Sequence, residues 1–230
     1  MEFFKLTPIS RDKPCFTLIW LHGLGADGSD FEDFQQELFQ YSEIDNVNLI
    51  LPTAPDRKVR TFDKELPAWF DISEDIEETV SQETDVEGMD ASVKAVAELI
   101  EAEKKASPDV PIVIGGFSQG AVIALLTGFN HPADIQAVVA FSGFVPMMHP
   151  RFAEISDVAR KLPVFIAHGT LDPVIPINLV TDGVSRLTCL DTQVEFHTYP
   201  MVHELCPDEM KDLGDFLKAH LPIAQRDSEE

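Results

Sequence analysis

Ser118 sits in Gly116-Phe117-Ser118-Gln119-Gly120, a G-x-S-x-G pattern between two apolar runs. Val110-Pro111-Ile112-Val113-Ile114 precedes it and reads as a buried strand. Ala121-Val122-Ile123-Ala124-Leu125-Leu126 comes after it and reads as a buried helix. A sharp strand-to-helix turn with small residues on both sides of a serine lifts the hydroxyl clear of the sheet. It also sets that oxygen at a helix N-terminus, where free N–H groups and the helix dipole favour negative charge. A serine hydroxyl is a poor nucleophile near neutral pH. It needs a histidine to take its proton and a carboxylate to hold that histidine's tautomer.

The candidate carboxylate is Asp172, in His168-Gly169-Thr170-Leu171-Asp172-Pro173-Val174-Ile175-Pro176, directly after the strand-like run Val164–Ala167. Gly169 permits the turn, and Pro173 and Pro176 stiffen the loop beyond the acid. The candidate base is His203, in Tyr199-Pro200-Met201-Val202-His203-Glu204-Leu205, between the last strand-like run and the last helical window. The order Ser, acid, His is that of α/β-hydrolases, whose G-x-S-x-G turn is a nucleophile elbow. Each candidate comes after its own strand, where sites of open α/β sheets lie. The other histidines fit less well. His131, His149 and His220 fall at helix ends or in polar loops, His197 lies inside a strand, and His22 and His168 each precede a glycine and read as structural.

Leu21-His22-Gly23-Leu24-Gly25-Ala26-Asp27-Gly28 contains Gly23-x-Gly25-x-x-Gly28, a dinucleotide fingerprint. It raises the alternative of a nicotinamide or flavin oxidoreductase. Asp27 and Asp30 would then place carboxylates beside a pyrophosphate, and the acid expected about 20 residues on is missing. The better reading is an early strand-to-helix loop that donates an oxyanion-hole N–H. That assigns the N–H groups of Leu24 and Gln119 to the oxyanion. A catalytically silent binding protein on the same fold is the other alternative.

The elements that must position these residues alternate. Strands are expected over Phe16–Leu21, Val47–Leu51, Pro111–Gly115, Ala137–Phe141, Val164–Ala167 and Val194–Tyr199, with an edge strand in Met1–Lys5. Helices are expected over Ser29–Tyr41, Gly88–Lys105, Gln119–Phe129, Pro150–Lys161, Pro176–Leu187 and Pro207–His220. Runs apolar on both parities suit a mostly parallel sheet with helices on both faces. The fold class is therefore α/β, in the α/β-hydrolase arrangement, with 1–230 as one domain and an acidic tail frayed over about 222–230. The acid-rich stretch from Asp71 to Glu87 has no Lys or Arg and reads as a solvated excursion.

Net charge is −23, which argues against nucleic acid and against stable association with anionic membranes. There is no signal peptide and no run long enough to span a bilayer. Cys15, Cys189 and Cys206 are odd in number and far apart, so the expected home is the reducing cytoplasm. No His, Cys or Asp spacing signals a metal site. Homodimerisation stays open.

These residues together resemble the phospholipase/carboxylesterase family, which includes the acyl-protein thioesterases. The matching segments are Leu21–Gly28 with Asp30-Phe31, Trp69-Phe70-Asp71, Gly115–Ala121, His168–Pro176 and Met201 to Glu204. The resemblance implies Ser118 as nucleophile, Asp172 as its acid, His203 as its base, Leu24 and Gln119 as oxyanion donors, and ester or thioester hydrolysis without cofactor. It places Trp69 near the acyl entrance. The acid-rich 74–87 stretch departs from the family's pattern. Acyl proteins, lysophospholipids and small esters all remain as substrates. Chain length is expected to be read by apolar loop residues, Trp69, Met147 and Leu171, with the Ser142–His149 segment lining the pocket.

Overall fold

Strands covered on both faces need no polar side, and the apolar runs use that freedom. In the computed structural model, which describes residues 1–10, 13–73, 75–81 and 85–223, they form the middle of a seven-stranded sheet. Its strands are β1 (Phe3–Leu6), β2 (Phe16–Leu21), β3 (Val47–Pro52), β6 (Ile112–Phe117), β7 (Ala137–Phe141), β8 (Val164–Gly169) and β9 (Val194–Tyr199). The order is β1-β3-β2-β6-β7-β8-β9. Only β1, on the edge, runs antiparallel to its neighbour. β4 (Asp56–Val59) and β5 (Lys64–Pro67) make a separate antiparallel hairpin.

After β2 the chain winds outward to β3, then returns to the other side of β2 as β6. The carboxyl ends of β2 and β6 thus flank the switch point where open α/β sheets form a crevice.

Seven helices accompany the strands among the described residues. They are α1 (Phe34–Ser42), α2 (Ile76–Ser81), α3 (Val86–Ala106), α4 (Gln119–Asn130), α5 (Asp157–Arg160), α6 (Ile177–Cys189) and α7 (Pro207–His220). Residues of α3, α4 and α6 fill one face of the sheet; residues of α1 and α7 fill the other. α3 begins where the Asp85 carboxylate accepts from Gly88 N–H at 2.9 Å. Its inward stripe, Met89, Val93, Val96 and Ile100, keeps the 3.6-residue period. α4 is buried from Gln119 to Phe129, with the apolar run Ala121–Leu126 at its centre. Truncating Leu126 there would cost about 2–5 kcal/mol.

The structure corrects three expectations. The window Ser29–Tyr41 is a short 3₁₀ turn, Gly28–Phe31, and then α1. Asp27 and Asp30 cap the turn reciprocally, which ends it before a longer helix can run through. Pro150–Lys161 likewise splits into a 3₁₀ turn, Pro150–Ala153, and α5, because Ser156 caps a new start at Ala159 N–H. The acid-rich stretch is not a bare excursion. It contains α2, whose Ile76 and Val80 pack against the core, and its Asp71 and Asp85 meet Arg60 and Arg57 at 2.5 and 3.7 Å. Of the expected tail, residues 224–230 lie outside the described residues.

Candidate active site

The elbow is strained and over-determined. Ser118 has φ 54° and ψ −118°, between the end of β6 and the first turn of α4. A non-glycine residue in such a region costs about 1–3 kcal/mol, so its surroundings must impose it. They do so by close backbone packing. A Cβ on Gly120 would lie 2.1 Å from Leu21 O, and one on Gly116 2.5 Å from Gly120 C. Both glycines are therefore needed to press the elbow against the end of β2. Ser118 N–H is tied across to Phe141 O at 2.8 Å.

Ser118, His203 and Asp172 come together although 85 and 31 residues separate the pairs. His203 Nε2 lies 2.9 Å from Ser118 Oγ, and His203 Nδ1 lies 2.7 Å from Asp172 Oδ2. A carboxylate only accepts, so Nδ1 carries the proton and Nε2 is left free to receive one. Asp172 Oδ1 accepts from Val174 N–H at 2.8 Å and Ile175 N–H at 2.9 Å. The Asp172 side chain has no solvent exposure. The loops that carry Asp172 and His203 interlock, since a Cβ on Gly169 would lie 2.4 Å from Met201 O. The Phe117 ring supports the His203 ring at 4.8 Å between centroids.

The Gly23–Gly28 loop lies against the serine. A Cβ on Gly23 would touch Ser118 Cβ at 3.4 Å. Leu24 is next in this loop, and Gln119 opens α4, so both N–H groups belong to the segments that border Ser118. His22 fixes the loop from beneath. Its Nδ1 stands 2.6 Å from Gly23 O, and its Nε2 accepts from Ala54 N–H at 3.0 Å. Burial lowers the His22 pKa, which keeps it in this neutral tautomer. The Gln119 side chain is buried too. Its Oε1 accepts from Trp69 N–H at 2.7 Å, and its Nε2 donates to Phe70 O at 2.7 Å.

Trp69 corrects an expectation. Far from lining an open groove, it is fully buried. Its indole Nε1 donates to His22 O at 2.9 Å, and Trp69 O accepts from Ser92 Oγ. It props the Gly23–Gly28 loop and Gln119. Met147 is half-buried against the α3–α4 core. Leu171, by contrast, is 64% exposed beside Asp172, with Val174 at 51% and Val202 at 44%. Sequence reasoning did not single out Val174 and Val202; their places two residues after the acid and one before the base were the available signal.

His197 is held away from the site on β9, 2.8 Å from Glu195 and 3.3 Å from Asp212. The fingerprint does not lead into an α-helix. Gly28 opens a four-residue 3₁₀ turn, and the Asp27 carboxylate already accepts its Ser29 N–H. Among the described residues, no His, Cys, Asp and Glu group could hold a metal ion, and no helix is long and apolar enough to cross a membrane.

The sequence profile of the phospholipase/carboxylesterase family matches residues 7–221. The chain belongs to that family. Among phospholipase/carboxylesterase relatives, acyl-protein thioesterase 1 of Mycosarcoma maydis is 35% identical, with 96% of this chain and 98% of the relative covered. Acyl-protein thioesterase 1 of Saccharomyces cerevisiae is also 35% identical, over 89% of this chain and 92% of the relative. The crystal structure of Zea mays acyl-protein thioesterase 2 superposes with a TM-score of 0.81 at 29% identity, covering 95% and 98%. The fold is thus the α/β-hydrolase fold, and this family member is a serine hydrolase of the esterase and thioesterase class.

Proposed function

We propose that the protein hydrolyses acyl esters and thioesters through Ser118, His203 and Asp172, by way of an acyl-enzyme. The carrying observation is the unbroken hydrogen-bonded chain from Ser118 Oγ through the His203 ring to Asp172, with steps of 2.9 and 2.7 Å. Ser118 Oγ attacks the acyl carbonyl carbon while His203 Nε2 takes its proton. The N–H groups of Leu24 and Gln119 receive the oxyanion, and the developing imidazolium is met by Asp172. Collapse expels the alcohol or thiol, which leaves with the proton from His203. A water deprotonated by His203 then attacks the acyl carbon, and the acid departs as Ser118 is regenerated.

The relatives named acyl-protein thioesterase support acyl thioesters as the substrate class. The apolar side chains of Leu171, Val174 and Val202 beside acid and base suit an acyl chain or an apolar leaving group. All three cysteines are free, which supports a cytoplasmic home. The strong negative charge speaks against nucleic-acid or stable membrane partners. One domain suffices for the reading, since the sheet draws strands from β1 to β9.

A fluorophosphonate probe tests it. Covalent mass on Ser118, absent in Ser118→Ala, is the expected result. A folded wild-type protein that takes up no probe would remove Ser118 as nucleophile.

A further inference from the structure

Gly23 O and Leu24 N–H belong to one peptide, and no cis peptide bond occurs among the described residues. A trans peptide is planar, with its C=O and N–H pointing to opposite sides. Whatever holds Gly23 O therefore aims Leu24 N–H. Gly23 O lies 2.6 Å from His22 Nδ1 and accepts from Ala26 N–H at 3.3 Å. A carbonyl oxygen only accepts, so Nδ1 carries the His22 proton. The far side of the ring agrees. Nε2 accepts from Ala54 N–H at 3.0 Å, which leaves no proton there. The ring is fully buried, and burial lowers its pKa, so it stays neutral and in this one tautomer.

The rest of the loop spends its N–H groups elsewhere. Gly25 N–H donates to Pro67 O at 2.9 Å, and Gly28 N–H to Thr53 Oγ1 at 3.1 Å. Leu24 N–H meets no acceptor among the described residues. Its peptide is also easy to turn over, since Gly23 carries no Cβ to resist the rotation. A flip would point Gly23 O where the N–H now points. It would put a partial negative charge where an oxyanion must sit. His22 spends one ring nitrogen on the anchor to Ala54 and the other on the carbonyl that would make this flip.

We infer that His22 is a positioning residue of the oxyanion hole, whose Nδ1–H locks Gly23 O and so holds Leu24 N–H toward the oxyanion. The inference rests on the Ser118 and Leu24 roles of the proposed function. The lock strengthens as charge develops. An anion on Leu24 N–H polarises the peptide and makes Gly23 O a better acceptor, so the His22 bond tightens in the transition state. Loss of the lock is therefore felt in kcat more than in KM.

Two variants of the full chain separate the lock from the anchor. His22→Asn places an amide N–H near the position of Nδ1 and gives up the contact with Ala54. His22→Gln places an amide oxygen near Nε2, where it can accept from Ala54 N–H, and gives up the donor to Gly23 O. With a neutral p-nitrophenyl ester, His22→Gln should lower kcat about 30-fold with KM little changed, short of the roughly 10²–10³ lost with a whole oxyanion donor. His22→Asn should stay within about threefold of wild type. A trifluoromethyl ketone reads the oxyanion directly. Ser118 Oγ bonds to the ketone carbon, its proton passes to His203, and the carbonyl oxygen becomes the anion. Affinity for the ketone should fall in His22→Gln by the same factor as kcat. Gly23 and Leu24 form the one Gly-Leu pair in the sequence, so labelling glycine carbonyl carbon and leucine nitrogen yields a single peptide signal in NMR spectra. That signal should move on ketone binding in wild type and His22→Asn, and much less in His22→Gln. A folded His22→Gln protein with wild-type kcat overturns the inference, as does His22→Asn impaired as much as His22→Gln. If His22→Gln does not fold, nitrogen NMR of the wild-type ring decides. A proton on Nδ1 that moves downfield when the ketone binds supports the lock; a proton on Nε2, or no movement, overturns it. Failure of the underlying reading shows differently, because a wild-type Leu24 signal that ignores the ketone sinks the oxyanion assignment, and absence of fluorophosphonate label at Ser118 sinks the triad.

Discussion

Asp172 and Glu209 are both carboxylates sealed from solvent, and they have opposite fates. Asp172 receives two backbone N–H groups and the His203 N–H. Glu209, in the first turn of α7, has no hydrogen-bond partner for either oxygen. Burial drives its pKa up to about 8, against the lowering effect of the nearby Cys206 backbone. Donors converge on one carboxylate, and the other is buried without them. Burial alone therefore does not make a functional carboxylate, and the donors converging on it decide.

The sharpest way to break this contrast is to swap acids for amides. Asp172→Asn should lower kcat by about 10⁴, because the amide favours the wrong His203 tautomer. Glu209→Gln should leave kcat/KM within about threefold, since it touches no reacting group. Steady-state kinetics on the two variants would refute the comparison if both were equally inactive while folded.

Stability should reverse the ranking. Glu209 is protonated in the folded protein up to about pH 8, while its unfolded-state value is 4.5. Between these values the folded state binds one more proton, so its contribution to stability is full below the unfolded value and is lost as pH rises through the folded one. The loss is about 1.4 kcal/mol per pH unit in that window. Denaturant unfolding at pH 5 and pH 8 should show wild type losing ground to Glu209→Gln as pH rises. Parallel curves would mean that Glu209 is ionised in its place.

The same logic extends to apolar groups. Trp69 is fixed by hydrogen bonds to His22, Gln119 and Ser92, whereas Leu171 is largely uncovered. Leu171→Ser should flatten the dependence of kcat/KM on acyl length, where each buried methylene gives up to about 0.8 kcal/mol. Trp69→Phe should lower activity at every chain length alike. A series of p-nitrophenyl esters from acetate to dodecanoate, kept below their micelle concentrations, reads the difference. A Trp69→Phe protein with an altered length profile would return Trp69 to the groove.

The last contrast is between two histidines. His203→Ala should cost at least about 10³ in kcat. His197→Ala should cost almost nothing, because His197 pairs with Glu195 and stacks on Phe165 at 5.0 Å, away from Ser118. Equal losses in both would overturn the assignment of the base.

Most of the sheet and the three side chains that meet at the elbow were legible in the chain because their signals are local. β2, β6, β7 and β8 are apolar on both parities, and Ser118, Asp172 and His203 come after strands in order. The hairpin β4–β5 was not legible, since Asp56-Arg57-Lys58-Val59 and Lys64-Glu65-Leu66-Pro67 carry too much charge to read as strands. α2 was hidden by its acids, although Ile76 and Val80 recur at helical spacing. The burial of Trp69 was hidden for another reason. It depends on what distant segments bring against the ring and its backbone, namely His22 and Gln119. No window along the chain contains that information.

The pairing of β2 with β6 sets Thr17 beside Ile112, and the elbow closes only when Gly120 meets Leu21 O. Such non-local contacts bear the loop-closure cost before they return any stabilisation, which makes them slow to form. Ser118 can meet His203 only after strands from distant parts of the chain have docked in register. Regain of reactivity toward a fluorophosphonate during refolding should therefore trail the regain of helical circular dichroism, so that Ser118 acts as a clock for the last step of assembly.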